Sequence, residues 1–310
     1  GEQVRVSAAP QRVVTLSPSA AQTMQEIGAW DKLVGATKHA SNLEGFDDLE
    51  RNISGAGQTI NNEEVVGLEP DLVLAPNTVQ NDTVRTLGRA NLTVYRFREA
   101  TSIADIQDKT RLIGRLTGEC DGAAETVAWM DERLAVIDEA TAGVERPKAM
   151  YVFYGWTAGN GTFIGDLIER AGADNAARTA DIEGYKEINR EILLQQNPDW
   201  LVLNSDWSDV PRGPGYNGTT AVQENQVVVL DVDHLNRPAP RVIYPLQQMT
   251  EAFHPEAYAA ANRSGSQTTS PPTTTAAPSQ TPTEGADGPG LGLLAALVAI
   301  WTVALLGRRS

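Results

Sequence analysis

The sequence predicts an α/β protein of two Rossmann-like lobes joined by a long helix, with a ligand crevice between them. Three observations carry this expectation. One unit occurs twice: Glu63 to Leu74 and Glu191 to Leu203 each read as a short amphipathic helix, a Pro-Asp turn and a buried strand, with a glutamate seven residues before the proline. An echo precedes each copy, a β-rich run (Arg12 to Leu16, Ala149 to Phe153) and a helix ending at Gly28-Ala29 or Gly172-Ala173. Between the copies, Thr101 to Gly143 carries a helical period. Strand, helix, helix and strand on both sides of one strut make two α/β lobes. The expected divisions are an N-terminal lobe over 1–100, connecting helices over 101–143, a C-terminal lobe over 144–262, a stalk over 263–287 and an anchor or sorting segment over 288–310.

In chain order, Val4 to Val6 is a candidate edge strand and Arg12 to Leu16 a buried one. Ser17-Pro18-Ser19-Ala20 opens the first helix, with Ser17 or Ser19 as its cap. Leu33 to Ala36 is a strand followed by a polar loop, Thr37 to Gly45. Strand Leu72 to Ala75, loop Pro76-Asn77-Thr78, helix Val79 to Leu87 and strand Thr93 to Phe97 complete the first lobe. In the strut, Ile103, Ile106, Ile113 and Leu116 share a face, and so do Val127, Met130, Leu134 and Ile137. Ser102 with Asp105 is a capping start, and Gly118 suits a left-handed helix end. The second strut helix, from Asp121 to Thr141, would run roughly 30 Å at ~1.5 Å per residue.

The second lobe repeats the order. Strand Ala149 to Phe153 leads to a glycine-rich, aromatic loop, Tyr154 to Gly161, then helix Phe163 to Ala171 and an irregular stretch to Tyr185. A helix starts at Asn189; strand Trp200 to Leu203 ends in Asn204-Ser205-Asp206-Trp207, and strand Val227 to Leu230 in Asp231 to Pro238. A last helix spans Pro240 to Ala252, with His254-Pro255 closing it.

Forty acidic against twenty-five basic side chains leave a net charge of −15, and only five of the bases are lysine: Lys32, Lys38, Lys109, Lys148 and Lys186. Nucleic acid is excluded as a partner, because phosphate neutralisation needs a basic face. Charge-based solubility in high salt fits this balance. The single cysteine, Cys120, excludes an intrachain disulfide framework, and its place at the start of the strut suits a small buried residue. The chain begins at Gly1 with no apolar leader, so a signal peptide is expected to have been removed or not included. Six Asn-X-Ser/Thr sequons, at Asn52, Asn81, Asn91, Asn160, Asn217 and Asn262, point to export.

Residues 264–283 are almost wholly Ser, Thr, Pro, Ala, Gln and Gly, the composition of an extended stalk. Gly288-Pro289-Gly290 then introduces an uncharged apolar run, Leu291 to Leu306, closed by Gly307-Arg308-Arg309. The run is short for a span of about 20 residues, although ~17 suffice. The arginines place its far end in the cytoplasm and the lobes outside. This tail resembles archaeal sorting signals of the Pro-Gly-Phe type, which implies cleavage and a lipid anchor; here Leu291 stands where that pattern has Phe.

In parallel α/β sheets ligands gather beyond the carboxyl ends of the strands. Those ends supply the candidate ligand residues Ser17, Pro18, Ser19, His39, Pro76 and Asn77 in lobe one, and Tyr154, Trp156, Trp207, Asp233, His234 and Arg237 in lobe two. Aromatics and amides with few charges suit a large organic ligand. Trp156 and Trp207 are either rim or core aromatics or flat walls for a ring system. Arg237 with Asp233 is a loop ion pair or a contact to the ligand's amide edges. Glu63 and Glu191 favour the positive ends of their helices, or form two matched anionic knobs for a two-fold partner bearing arginines. The chain has no Gly-rich phosphate loop, Gly-X-Ser-X-Gly elbow or metalloprotease helix, and Ser17 has a capping role open to it, so no catalytic residue is assigned. His39, His234 and His254 lie far apart in sequence without a second ligand at metal spacing, so no metal or resident cofactor is assigned.

Arg12 to Ser19, Glu63 to Leu74, Thr162 to Glu169 and Asn236 to Arg241 together resemble the helical-backbone substrate-binding proteins of ABC importers, over roughly residues 4–258. Within that group the chain is most similar to the cobalamin (vitamin B12) binders, with ferric-siderophore and haem binders as alternatives and, outside the group, an anchored hydrolase using the same crevice as a remoter one. The resemblance implies stiff lobes, a small-molecule ligand in the crevice, and docking on a permease dimer with its ATPase through Glu63 and Glu191. It also implies ligand-edge contacts from Asp233 and Arg237, and a location on the outer face of the cytoplasmic membrane. Two departures stand out: the cobalamin pattern has tyrosines after the second strand, where this chain has His39, and a tryptophan near the first docking glutamate, where Gly57 stands.

Overall fold

The structure is a computed structural model that describes residues 6, 9–56, 59–210 and 212–268. Val4, Gly57, the apolar run from Leu291 and nearly all of the expected stalk lie outside the described residues. Val6, described, is not in a strand.

Lobe one contains β1 (Val13–Thr15), α1 (Pro18–Glu26), β2 (Leu33–Ala36), β3 (Arg51–Asn52), α2 (Asn62–Gly67), β4 (Leu72–Ala75), α3 (Asn81–Arg89) and β5 (Val94–Arg96). Its strands are all parallel, in the order β3-β2-β1-β4-β5. β1 and β4 are buried along their whole length, as unbroken apolar runs in a parallel sheet require. Strand order reverses at β1, so the loops after β1 and β4 diverge and open a cleft at the sheet's carboxyl edge. One face of the sheet packs Met24, Ile27 and Leu74 against Ile113 and Ala123 of the strut; the other packs Val14, Val73 and Ala75 against Val65, Leu68 and Leu87.

The strut is two helices, α4 (Ile103–Thr117) and α5 (Cys120–Thr141). Ser102 Oγ accepts from the Asp105 N–H at 3.1 Å, and Asp105 Oδ2 accepts in return from the Thr101 N–H at 2.9 Å, so the expected cap forms with its reach shifted by one residue. Gly118 ends α4 at φ +82°. Cys120, expected to be buried, is exposed; it opens the outward side of α5 while Ala123, Val127 and Met130 take the inward one.

Gly122 fixes the strut on lobe one. A Cβ there would lie 2.1 Å from the Ile27 carbonyl oxygen, just past the end of α1. Thr126 Oγ1, one turn on, donates to the Glu26 carbonyl at 3.0 Å. Alanine in an open helix position gains about 0.5–1 kcal/mol over glycine, but overlap with a backbone oxygen costs about 1–3 kcal/mol. Gly122→Ala is therefore expected to lower the urea midpoint; a rise would show that the strut is not clamped there.

Lobe two contains β6 (Lys148–Tyr151), β7 (Trp156–Ala158), α6 (Phe163–Arg170), β8 (Asp174–Asn175), α7 (Ala176–Thr179), β9 (Tyr185–Glu187), α8 (Arg190–Gln196), β10 (Trp200–Asn204), α9 (Thr220–Gln223), β11 (Val227–Leu230), α10 (Val232–Leu235), α11 (Ile243–Phe253) and α12 (Pro255–Thr268). Its parallel sheet has the order β11-β10-β6-β8. Three readings change here. The expected loop after Phe153 turns back as β7, which pairs antiparallel with β9, so Trp156 faces Glu187 across a separate two-stranded sheet. The stretch before Tyr185 is not irregular but holds β8 and α7. His254-Pro255 ends α11, yet His254 Nε2 also meets the Gly172 carbonyl at 3.0 Å, and Pro255 starts a further helix that packs Tyr258 and Ala261 into the lobe-two core and runs past residue 263.

The duplicated Pro-Asp unit has a structural cause. Asp71 Oδ2 accepts from the Gln11 and Arg12 N–H groups at 2.8 and 2.9 Å, and its own N–H donates to the Arg12 carbonyl. Asp199 Oδ2 accepts from the Lys148 N–H at 2.8 Å, and its N–H donates to the Lys148 carbonyl. Each aspartate thus ties the entry of one central strand to the entry of its neighbour. Before each proline the backbone is left-handed, at Glu69 (φ 46°) and Asn197 (φ 43°). The paired Gly-Ala helix ends also match, with Ala29 N–H bonding the Met24 carbonyl and Ala173 N–H the Ile168 carbonyl.

Candidate functional site

Ser17 caps α1: its Oγ accepts from the Ala20 N–H at 3.4 Å, and Pro18 fills the first helical position, where no N–H is needed. The helix start is thereby turned toward the cleft at the strand-order reversal. The Pro76-Asn77-Thr78 loop leaves β4 beside it. Together with residues after β2 and β11 these loops enclose a cavity of about 340 Å³.

Seven expected residues line this cavity: Ser17, Pro18, Ser19, His39, Pro76, Asn77 and Arg237. Arg237 comes from lobe two and reaches across the crevice. Its Nη1 donates to Asn42 Oδ1 at 2.9 Å and its Nη2 to the His39 carbonyl at 2.6 Å, while Nη2 also pairs with Asp233. It is therefore an ion pair and a lobe-to-lobe staple at once. The residue is 8% exposed, and burial pulls its pKa below the ordinary arginine value against the opposing pull of Asp233. Arg241 makes a second bridge, to Glu26 at 2.6 Å and Gln25 at 2.8 Å on α1.

Asp233, His234, Tyr154, Trp156 and Trp207 do not line the cavity. Asp233 stands behind Arg237, holding it. His234 packs on Tyr244 with centroids 5.4 Å apart and lies 3.8 Å from Asp231, because residues 232–235 coil into α10 instead of forming an open loop. Tyr154 and Trp207 stack, 5.4 Å between centroids and 16° between planes, over the carboxyl ends of β6 and β10. Trp156 lies on β7, 44% exposed. An aromatic chain joins this edge to the cavity: Trp207 on Tyr154, Tyr154 edge-on to Phe153 at 4.6 Å, and Phe153 on Tyr151. The Tyr151 hydroxyl donates to Asn236 Oδ1 at 3.2 Å, accepts from Asn204 Nδ2 at 3.1 Å, and is pushed by burial to a pKa of about 12. Asn236 itself lines the cavity.

Several lining residues are absent from the sequence-based set. Phe97 and Arg98 follow β5, and Lys109 projects from α4. Lys109 Nζ donates to the Pro238 carbonyl at 2.6 Å and to Ser19 Oγ at 3.3 Å, and stands 5.9 Å from the Phe97 ring centre. Burial holds its pKa down to about 8. A signal for it was present: Lys109 falls three residues after Ile106 and four before Ile113, a cation within the strut's apolar stripe. Thr37 also lines the cavity, and its buried Oγ1 has no partner among the described residues.

Glu63 and Glu191 occupy the same place in the two lobes. Each is the second residue of its helix, after Asn61-Asn62 and Asn189-Arg190, with Asn61 and Asn189 as side-chain caps. Both are exposed, and neither has an ion-pair partner among the described residues.

Residues 13–233 match the family model described as periplasmic binding protein. A cobalamin-binding protein of Halobacterium salinarum is 42% identical over 265 residues, covering 81% of this chain and 71% of its own length. Among solved structures, the periplasmic heme-binding protein RhuT from Roseiflexus sp. RS-1 superposes with a TM-score of 0.71 at 23% identity, covering 80% of this chain and 99% of that one. The periplasmic vitamin B12 binding protein BtuF of Vibrio cholerae does so at 0.69 and 20% identity, covering 82% and 99%. At those identities the two structures speak to the fold.

Proposed function

We propose that this chain, which belongs to the periplasmic binding protein family, is the extracellular substrate-binding protein of an ABC importer and that its ligand is cobalamin (vitamin B12). The observation that carries the ligand is the 42% identity to a cobalamin-binding protein across four-fifths of the chain. The crevice is compatible with it. Proline, phenylalanine and isoleucine walls supply apolar area, the unpaired Thr37 hydroxyl and the Asn77 amide supply polar contacts, and the Tyr154–Trp207 stack extends the wall beyond the cavity. A cavity of about 340 Å³ holds part of a corrinoid, with the remainder against the lobe-two aromatics. Lobes already bridged by Arg237 and Arg241 lose little freedom on binding, which favours affinity without any reaction.

Glu63 and Glu191 are assigned to docking on the permease dimer, whose ATPase drives transport. The apolar run Leu291 to Leu306 is assigned to holding the lobes on the outer face of the membrane, with the Ser/Thr/Pro-rich segment as spacer and some of the six sequons glycosylated. Isothermal titration of the lobes with cyanocobalamin, ferrichrome and haem tests the ligand. A single site with submicromolar affinity for cyanocobalamin alone is expected. Tight binding of ferrichrome or haem in its place would move the protein to the iron or haem branch, and no binding of any would remove the importer reading.

A further inference from the structure

We infer that the floor of the crevice receives an anionic group of the ligand, a phosphodiester or carboxylate, and that Lys109 is the residue that recognises it. The inference rests on the reading of the cavity as a site for a large organic ligand, and it adds a charge to that ligand's chemistry. Among the described residues three cations, Arg98, Lys109 and Arg237, line the cavity, and no aspartate or glutamate does, in a chain with forty acids and a net charge of −15. A cavity of that sign in a protein of the opposite sign concentrates anions.

The three cations are not equivalent. Arg237 is neutralised by Asp233 and spends its donors on lobe one. Arg98 is exposed. Lys109 is half-buried, and among the described residues its hydrogen bonds go to neutral oxygens, Pro238 carbonyl and Ser19 Oγ. The acids on its own helix are engaged elsewhere: Asp105 with Thr101 and Ser102, Asp108 with Arg111. An ammonium whose bonds go to neutral oxygens, facing a cavity, gains most from an incoming anion, because the anion adds an ion pair to what is otherwise an ion–dipole contact.

The test compares ligands that differ in the anion. Cyanocobalamin carries a phosphodiester, and dicyanocobinamide lacks the nucleotide loop that contains it; haem carries propionates, and its dimethyl ester does not. For whichever pair the wild-type protein binds, the anionic member is expected to bind about tenfold or more tightly, within the range for a hydrogen bond to a charged group. Lys109→Met should abolish that preference by weakening the anionic ligand alone, and Lys109→Arg should retain most of it. Wild-type protein that binds both members of the pair equally overturns the inference without any variant. So does Lys109→Met that weakens both members alike, which would make Lys109 a positioning residue of the cleft. If wild-type protein binds none of the four compounds, the underlying reading of the crevice fails, and this inference with it.

Discussion

Replacing Arg237 with alanine is expected to give the largest loss of ligand affinity of any single change in the crevice. The side chain is almost fully buried and makes three hydrogen bonds, two of them into the other lobe. Its removal leaves the Asp233 carboxylate without its countercharge and the His39 carbonyl without this donor. Breaking a largely buried pair in this way costs about 2–4 kcal/mol of folding stability. The same change removes the two bonds from the 231–238 segment to Asn42 and His39 of lobe one, so Asn236 and Pro238 hold their places on the cavity wall less firmly. An affinity loss of about 30-fold or more, roughly 2 kcal/mol, is expected by titration calorimetry under conditions where circular dichroism shows the variant folded. Arg237→Lys keeps the charge but not the fork that reaches Asn42, His39 and Asp233 together, and should recover only part of the loss. Unchanged affinity in folded Arg237→Ala would place the ligand elsewhere.

Reversing the two exposed glutamates should separate capture from transport. Glu63→Lys and Glu191→Lys each place a cation at the second position of a helix whose N-terminus is already positive, at a cost of about 0.3–1 kcal/mol in stability. Against a permease surface bearing arginines, the reversal sets like charges together, which costs several kcal/mol at a contact. Uptake measured in cells or vesicles with the cognate permease should fall about tenfold or more for each variant and to background for the double variant. Cobalamin affinity should stay within about twofold, since neither residue lines the cavity. Loss of affinity with uptake merely following it would refute the docking role.

What could be read from the sequence was governed by local repetition. The Pro-Asp units, the Gly-Ala helix ends and the glutamates seven residues before each proline are short-range patterns, and each has a short-range physical cause: a carboxylate receiving strand N–H groups, a left-handed helix end, a helix-capping asparagine. Ser17, Pro18, Pro76 and Asn77 were legible because loops after parallel strands converge by topology alone. That the lobe-two aromatics lie beside the cavity and not in its lining was not legible, because whether Trp156 sits in an open loop or on a strand depends on its pairing with Tyr185 to Glu187, nearly thirty residues later. Helix α12 was missed because Pro255 reads equally as a terminator and as a first helical residue. Lys109 escaped notice for a different reason. The strut was read as a spacer, and its one cation on the inward side acquires meaning only once lobe two brings the Pro238 carbonyl to it.

Hydrogen exchange with and without cyanocobalamin tests most directly whether the two lobes hold the ligand between them. Protection is expected in segments from both sides at once, residues 16–19, 37–39 and 76–78 in lobe one and 231–238 in lobe two, with the helices carrying Glu63 and Glu191 unchanged. Protection confined to one lobe, or spread over the outer helices while those loops exchange as before, would contradict a crevice site.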